Sequence, residues 1–138
     1  MLGNLFAESS LNPQNVEDEQ EPKINYNDKS YTEAVDSGKY KNFEKDGVGY
    51  GLAQWTFSTR KEGLLKYIKS KGVSIGDLKA QLEYLVTEGE YKKVEDLLKT
   101  TNSIKEASDR VLIDFENPED KSETAKEKRR GFCQTYYN

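Results

Sequence analysis

A chain of 138 residues is long enough for one domain around one hydrophobic core; at 33% charged and a mean hydropathy of −0.94 it is polar, yet its nine tyrosines lift the aromatic share to 11% and argue against disorder. A net charge of −4 and a pI near 5.1 disfavour nucleic acid as a partner, and no apolar run reaches the ~20 residues of a membrane span. Histidine is absent and Cys133 is the single cysteine, which excludes Ser-His-Asp and Cys-His nucleophiles, imidazole zinc sites and an intrachain disulfide.

The first element is a short helix from residue 2, on which Leu2, Leu5, Phe6 and Ser9 share one arc and Glu8 lies on its flank beside Leu5; Ser9-Ser10-Leu11-Asn12-Pro13 ends it. No charged-then-apolar secretion signal precedes it, and the expectation is one domain over residues 1–138, cut from a longer multidomain protein. Residues 12–30 are polar and acidic around Glu17-Asp18-Glu19-Gln20-Glu21-Pro22 and read as a solvated loop. A capping box at Ser30–Glu33 and a stop at Gly38 predict a helix over 31–37. Residues 40–55 mix tyrosine, phenylalanine and valine with Asp46-Gly47 and further glycines, the pattern of a small β-hairpin or an irregular β element.

From Thr56 onward the pattern is helical. Leu64, Leu65 and Ile68 define one helix, closed by Gly72. Ser74 caps the next, whose buried stripe is Leu78, Leu82, Leu85 and Val86. A third runs over about 90–99 with Val94, Leu97 and Leu98. Ser103–Glu106 caps a fourth, carrying Ala107, Val111, Leu112 and Phe115 and halted by Asn117-Pro118, and a last helix spans about 122–136. Lys126–Arg130 reads as a solvated helix face, and Cys133, near Phe132 and Tyr136, as a small buried hydrophobe. The fold class is therefore α+β and predominantly α.

With histidine and paired cysteine missing, the chemistry left is that of carboxylates, tyrosines and amides. Partial burial of a carboxyl favours its protonated form, and a protonated carboxyl at neutral pH can donate a proton. Glycosidic bonds need that donor, because the leaving oxygen must be protonated as the bond breaks, and a second carboxylate commonly acts as nucleophile or activates water. Glu8 suits the first role. Asp28, Asp36, Glu44 and Asp46 are open to the second; Asp46 is the choice, although Asp-Gly is also a common turn pair. In Gly49-Tyr50-Gly51-Leu52-Ala53-Gln54-Trp55, Tyr50 and Trp55 could stack on sugar rings and Gln54 could bond an N-acetyl group or a hydroxyl. Trp55 reads equally well as core.

The ordered set Gly3-Asn4-Leu5, Glu8-Ser9, Leu11-Asn12-Pro13, Gly49–Thr56 and Arg60 resembles the phage tail-type lysozyme family, domains of phage tail proteins, endolysins and cell-wall hydrolases. Gln81–Leu85, Glu106-Ala107-Ser108, Phe115–Pro118, Arg129-Arg130 and Tyr136-Tyr137 extend the resemblance along the chain. It implies a lysozyme-like fold, with a helical cluster and a small β element flanking a cleft. It also implies cleavage of peptidoglycan between N-acetylmuramic acid and N-acetylglucosamine, with Glu8 as the acid. The Gly-Tyr-Gly-Leu-Ala-Gln stretch parallels the Gly-Leu-Met-Gln motif of goose-type lysozymes and lytic transglycosylases, relatives that often work with one glutamate, so on that pattern Asp46 is either dispensable or serves only to position water. By that resemblance the chain starts late, with the residues that normally precede Gly3 nearly absent. The expectation is a muramidase that needs no cofactor or metal and acts outside the cell or from a virion on peptidoglycan strands. A lytic transglycosylase and a non-catalytic glycan-binding tail module are the alternatives.

Overall fold

The computed structural model describes residues 2–116 and 121–137, and the described chain is predominantly α-helical. In order, α1 is Leu2–Ser9, α2 Glu21–Ile24, α3 Asp28–Asp36, α4 Ser58–Lys71, α5 Leu78–Thr87, α6 Gly89–Leu98, α7 Ile104–Arg110 running on as a π-helical turn over Val111–Glu116, and α8 Glu123–Tyr137. The Asn117-Pro118 stop and the side chains of Leu2, Leu97, Phe115 and Tyr136 lie outside the described residues. Two compact units emerge, Leu11–Leu85 and the paired segments Met1–Ser10 with Val86–Asn138.

In the Leu11–Leu85 unit, α3 starts earlier than the sequence predicts. Asn27 is the cap: its side chain accepts from Ser30 N at 2.9 Å, and Ser30 Oγ accepts from Asn27 N at 3.0 Å. A reciprocal cap of this kind stabilises a helix by about 1 kcal/mol. Likewise α5 is capped by Asp77, whose carboxylate accepts from Ala80 N at 2.8 Å, while Ser74 instead donates to Asp36 at 2.5 Å. The small β-hairpin is not shown. Two isolated antiparallel bridges, Val16 with Tyr50 and Tyr50 with Trp55, are the β pairing among the described residues. The reason is local: Gly51 (φ 78°) and Gln54 (φ 47°) are both left-handed, and the amides of Gly51 and Leu52 are taken by Asn15 O and Gln81 Oε1 rather than by a strand.

Gln81 is the polar centre of this unit and is fully buried. Its Oε1 accepts from Leu52 N at 3.0 Å, and its Nε2 donates to Pro13 O and Ile75 O, each at 2.6 Å. An unpaired buried amide costs several kcal/mol, so these bonds tie three loops to α5 at one point. Gly51 has to be glycine twice over, for its positive φ and because a Cβ would lie 2.7 Å from Gln81 Oε1. The apolar core packs around Val16, Tyr31, Phe43, Trp55, Leu64 and Ile68. The expected buried stripe of α5 is corrected: Leu85 is buried with Ala80 and Gln81, whereas Leu78, Leu82 and Val86 are exposed. The helix turns toward the core the face that brings in the Gln81 amide.

In the other unit α1 packs along α8 and α8 along α7. Phe6 meets Phe132 edge-on at 4.6 Å. Asn4 is buried; it donates to Ser108 O at 3.2 Å and accepts from the Cys133 thiol at 3.3 Å. Cys133 is therefore buried, as its sequence setting implied. The Lys126–Arg130 face is not merely solvated, because Arg130 is engaged by Asp109 on α7 and by Glu123, the latter at 2.6 Å. After Ser9, α1 stops at two left-handed non-glycine residues, Ser10 (φ 52°) and Leu11 (φ 59°).

Candidate active site

Glu8 occupies the last turn of α1, and its side chain is 20% exposed. Its Oε1 accepts from Arg129 Nη2 of α8 at 2.5 Å. The carbonyl end of a helix is negative and disfavours a carboxylate, so the guanidinium supplies the compensating charge at that point. The Phe6–Phe132 ring contact and the Cys133–Asn4 hydrogen bond between α1 and α8 set the spacing across which this pair forms.

The Gly49–Thr56 loop belongs to the Leu11–Leu85 unit. Tyr50 and Trp55 bond each other's backbones, N to O at 3.1 and 3.0 Å, and both side chains are fully buried. The Tyr50 hydroxyl lies 2.7 Å from Thr32 Oγ1, and burial raises its pKa. The Trp55 ring lies against Tyr84 at 5.8 Å. Neither ring offers a face to solvent. Gln54 is half-buried; its Nε2 donates to Asn15 O and Gly51 O, both at 3.0 Å. Those two carbonyls fix the amide's orientation, since flipping it would set oxygen against oxygen. Its left-handed backbone costs on the order of 1 kcal/mol, strain of the kind that gathers at functional loops.

Asp46 is held on every side. Lys61 Nζ of α4 lies 2.6 Å from its Oδ1, and the hydroxyls of Tyr31 and Tyr40 donate to its Oδ2 at 2.5 and 3.0 Å. The Val48 amide completes the set at 3.0 Å. Asp46 is 3% exposed and Lys61 fully buried, its Nζ also donating to Val48 O at 2.7 Å and lying 4.3 Å from the centre of the Phe43 ring. Desolvation lowers the Lys61 pKa, with Asp46 opposing it. Burial first, and then the bond to Asp46, raise Tyr31 and push Tyr40 up to about 12.

Of the residues singled out from the sequence, Tyr50, Gln54 and Trp55 come together in one loop, with Asp46 a few residues before it in the same unit, while Glu8 lies in the other unit. Three residues were missed. Lys61 shares the i, i+3, i+4, i+7 face of Leu64, Leu65 and Ile68, a lysine at a core position and a legible signal. Arg129 looked like part of a solvated basic face. Glu17, placed in an acidic loop, bonds the motif directly: Gly49 N donates to its Oε2 at 3.1 Å, and its own N donates to Gly49 O at 2.9 Å. Among the described residues no group of three or more His, Cys, Asp or Glu is placed to hold a metal ion.

The family model described as phage tail lysozyme matches residues 1–138, and the chain belongs to that family. No curated protein and no solved structure matches it. Membership carries a peptidoglycan-lytic function of the lysozyme type, exerted on the cell wall in a phage tail context. No helix among the described residues is long and apolar enough to cross a membrane.

Proposed function

We propose that the chain is a muramidase that hydrolyses the bond between N-acetylmuramic acid and N-acetylglucosamine, with Glu8 as general acid. The observation that carries this reading is Glu8 itself, a half-buried carboxyl fixed by one cation at the end of α1 in a chain of the phage tail lysozyme family. In the resting arrangement the carboxylate accepts from Arg129. To act it takes up a proton, gives up that hydrogen bond and delivers the proton to the glycosidic oxygen as the bond to the anomeric carbon breaks. Water then adds at the anomeric carbon, its surplus proton passes to solvent, and a reducing end is released. The units act as one catalytic domain, a reading supported by the family model's span of the whole chain. We place its action outside the cell or on the virion, as one module of a longer wall-lytic or tail protein.

A second reading draws on Asp46. With both its oxygens engaged, a wall-lytic site working through one glutamate also fits a lytic transglycosylase, where the sugar's 6-hydroxyl attacks in place of water. Mass spectrometry of muropeptides released from purified walls separates the two, since anhydro ends are one water lighter than hydrolysis products. Glu8→Gln should lower wall clearing by about 10²–10⁴-fold. Circular dichroism of that variant should stay unchanged, because a glutamine oxygen still accepts from Arg129. Undiminished clearing by Glu8→Gln would remove Glu8 as the acid.

A further inference from the structure

Three side-chain oxygens converge on the α-carbon of Gly49. A Cβ built there would lie 2.7 Å from Gln54 Oε1 and 3.4 Å from both Glu17 Oε2 and Thr56 Oγ1. Glycine stands at this position because of that crowding and not for its backbone, whose φ is outside the left-handed region. The three groups retain acceptor capacity. Glu17 gives one oxygen to Gly49 N, and its Oε1 takes no hydrogen bond among the described residues. Gln54 spends its Nε2 on Asn15 O and Gly51 O, which aims Oε1 at Gly49 with no donor of its own among the described residues. Thr56 donates its hydroxyl proton to Gln54 O at 2.9 Å, so its lone pairs remain available. All three residues are half-buried, shielded enough to strengthen a hydrogen bond and open enough to receive one. The next residue along, Phe57, is 72% exposed, the most exposed of the described large hydrophobic side chains.

We propose that Glu17, Gln54 Oε1 and Thr56 Oγ1, with Phe57 adjoining, form a saccharide subsite that takes hydrogen-bond donors of an N-acetylated sugar. A carboxylate, an amide oxygen and a hydroxyl form an acceptor cradle matched to an acetamido N–H and ring hydroxyls. The exposed ring of Phe57, the residue after Thr56, offers an apolar face on which a pyranose stacks. Glu17 is the determinant, because a hydrogen bond to an ionised acceptor is about twice as strong as a neutral one. The buried Tyr50 and Trp55 then serve as the platform that holds the cradle. The proposal rests on the glycan reading above, but it concerns recognition by one unit and leaves the reacting bond aside.

The test is titration of an N-acetylglucosamine oligomer into the full chain carrying Glu8→Gln, followed by amide NMR and calorimetry. The expected result is shifts centred on Glu17, Gly49, Gln54, Thr56 and Phe57. Adding Glu17→Gln, which keeps an oxygen for Gly49 N, should weaken binding about tenfold. Gly49→Ala, which fills the cradle, and Phe57→Ala should weaken it as well. Shifts mapping elsewhere, no binding by the parent, or Glu17→Gln binding as the parent does would each overturn the subsite. A Glu17→Gln chain that fails to fold leaves the shift map and Phe57→Ala to decide. Wall clearing by the unmodified chain is scored separately: reducing-end products with a misplaced shift map sink the subsite alone, and saccharide binding at the cradle without wall cleavage sinks the muramidase alone.

Discussion

Glu8 and Arg129 form a partly buried pair, the carboxylate 20% and the guanidinium 12% exposed. Such a pair is neither the nearly neutral surface ion pair nor the costly fully buried one, and removing one partner should destabilise by about 1–3 kcal/mol. Its function separates from its stability through kinetics. If Arg129 positions the acid, Arg129→Met should lower kcat roughly tenfold with KM little changed, because the carboxyl loses its rotamer while the remaining contacts to substrate persist. Arg129→Lys should recover part of the loss, since it restores the charge but not the planar fork of donors. Steady-state kinetics on soluble glycan strands, normalised to the folded fraction, is the measurement. A kcat equal to that of the unmodified chain in both variants would reduce Arg129 to a support of the α1 and α8 pairing.

Among the elements, the Asp46–Lys61 clamp decides how the segment leading to the Gly49–Thr56 loop is held. Replacing Asp46 alone leaves a fully buried ammonium with Val48 O and one phenol as partners and should cost about 3–5 kcal/mol. Joining Asp46→Asn to Lys61→Met should cost less than the two single changes summed, by 1 kcal/mol or more as an order of magnitude. Urea unfolding of the four proteins measures it, and strict additivity would mean that the pair is not coupled. Activity per folded Asp46→Asn molecule is expected to stay within about tenfold of the parent, in contrast to Glu8→Gln. This clamp also marks where the sequence stops being legible. Apolar spacing at Leu64, Leu65 and Ile68 located α4, and similar spacing located the other long helices, because helical periodicity survives without tertiary context. It could not tell which side of α5 is covered, since Leu78, Leu82 and Val86 are as apolar as Leu85 and the Gln81 bonds reach loops distant in sequence. Glu8 stood out by its place at the end of a short apolar helix. Burial of Asp46, Tyr50 and Trp55 did not, because an aromatic lining a groove and one filling a core carry the same local pattern.

At the scale of the whole molecule, the buried phenols govern behaviour in alkali. Tyr31 and Tyr50 are fully buried and have folded pKa values raised above the ordinary 10.0, while Tyr40 rises to about 12. A raised folded value means that the native chain keeps a proton which the unfolded chain releases above pH 10. The stability these groups contribute is complete below that pH and declines as pH rises beyond it. Lys61 has the opposite sign. Its folded pKa is lowered from 10.5, so between its folded value and 10.5 the unfolded chain binds the extra proton and stability gains as pH rises. The two effects meet near pH 10, and above 10.5 the phenols act alone. The two fully buried phenols then give a decline of about 3 kcal/mol per pH unit, at 1.36 kcal/mol for each proton, and Tyr40 adds about 1.4 kcal/mol per pH unit until it titrates at about 12. Urea midpoints across the alkaline range, with tyrosinate absorbance followed in parallel, should show buried phenols ionising only as the fold is lost. Tyr50→Phe removes one of the two protons and should make that limb shallower by about 1.4 kcal/mol per pH unit, although loss of the Thr32 bond lowers the plateau. A limb of unchanged slope in Tyr50→Phe, or phenols that ionise while the chain is still folded, would show that burial does not hold these protons.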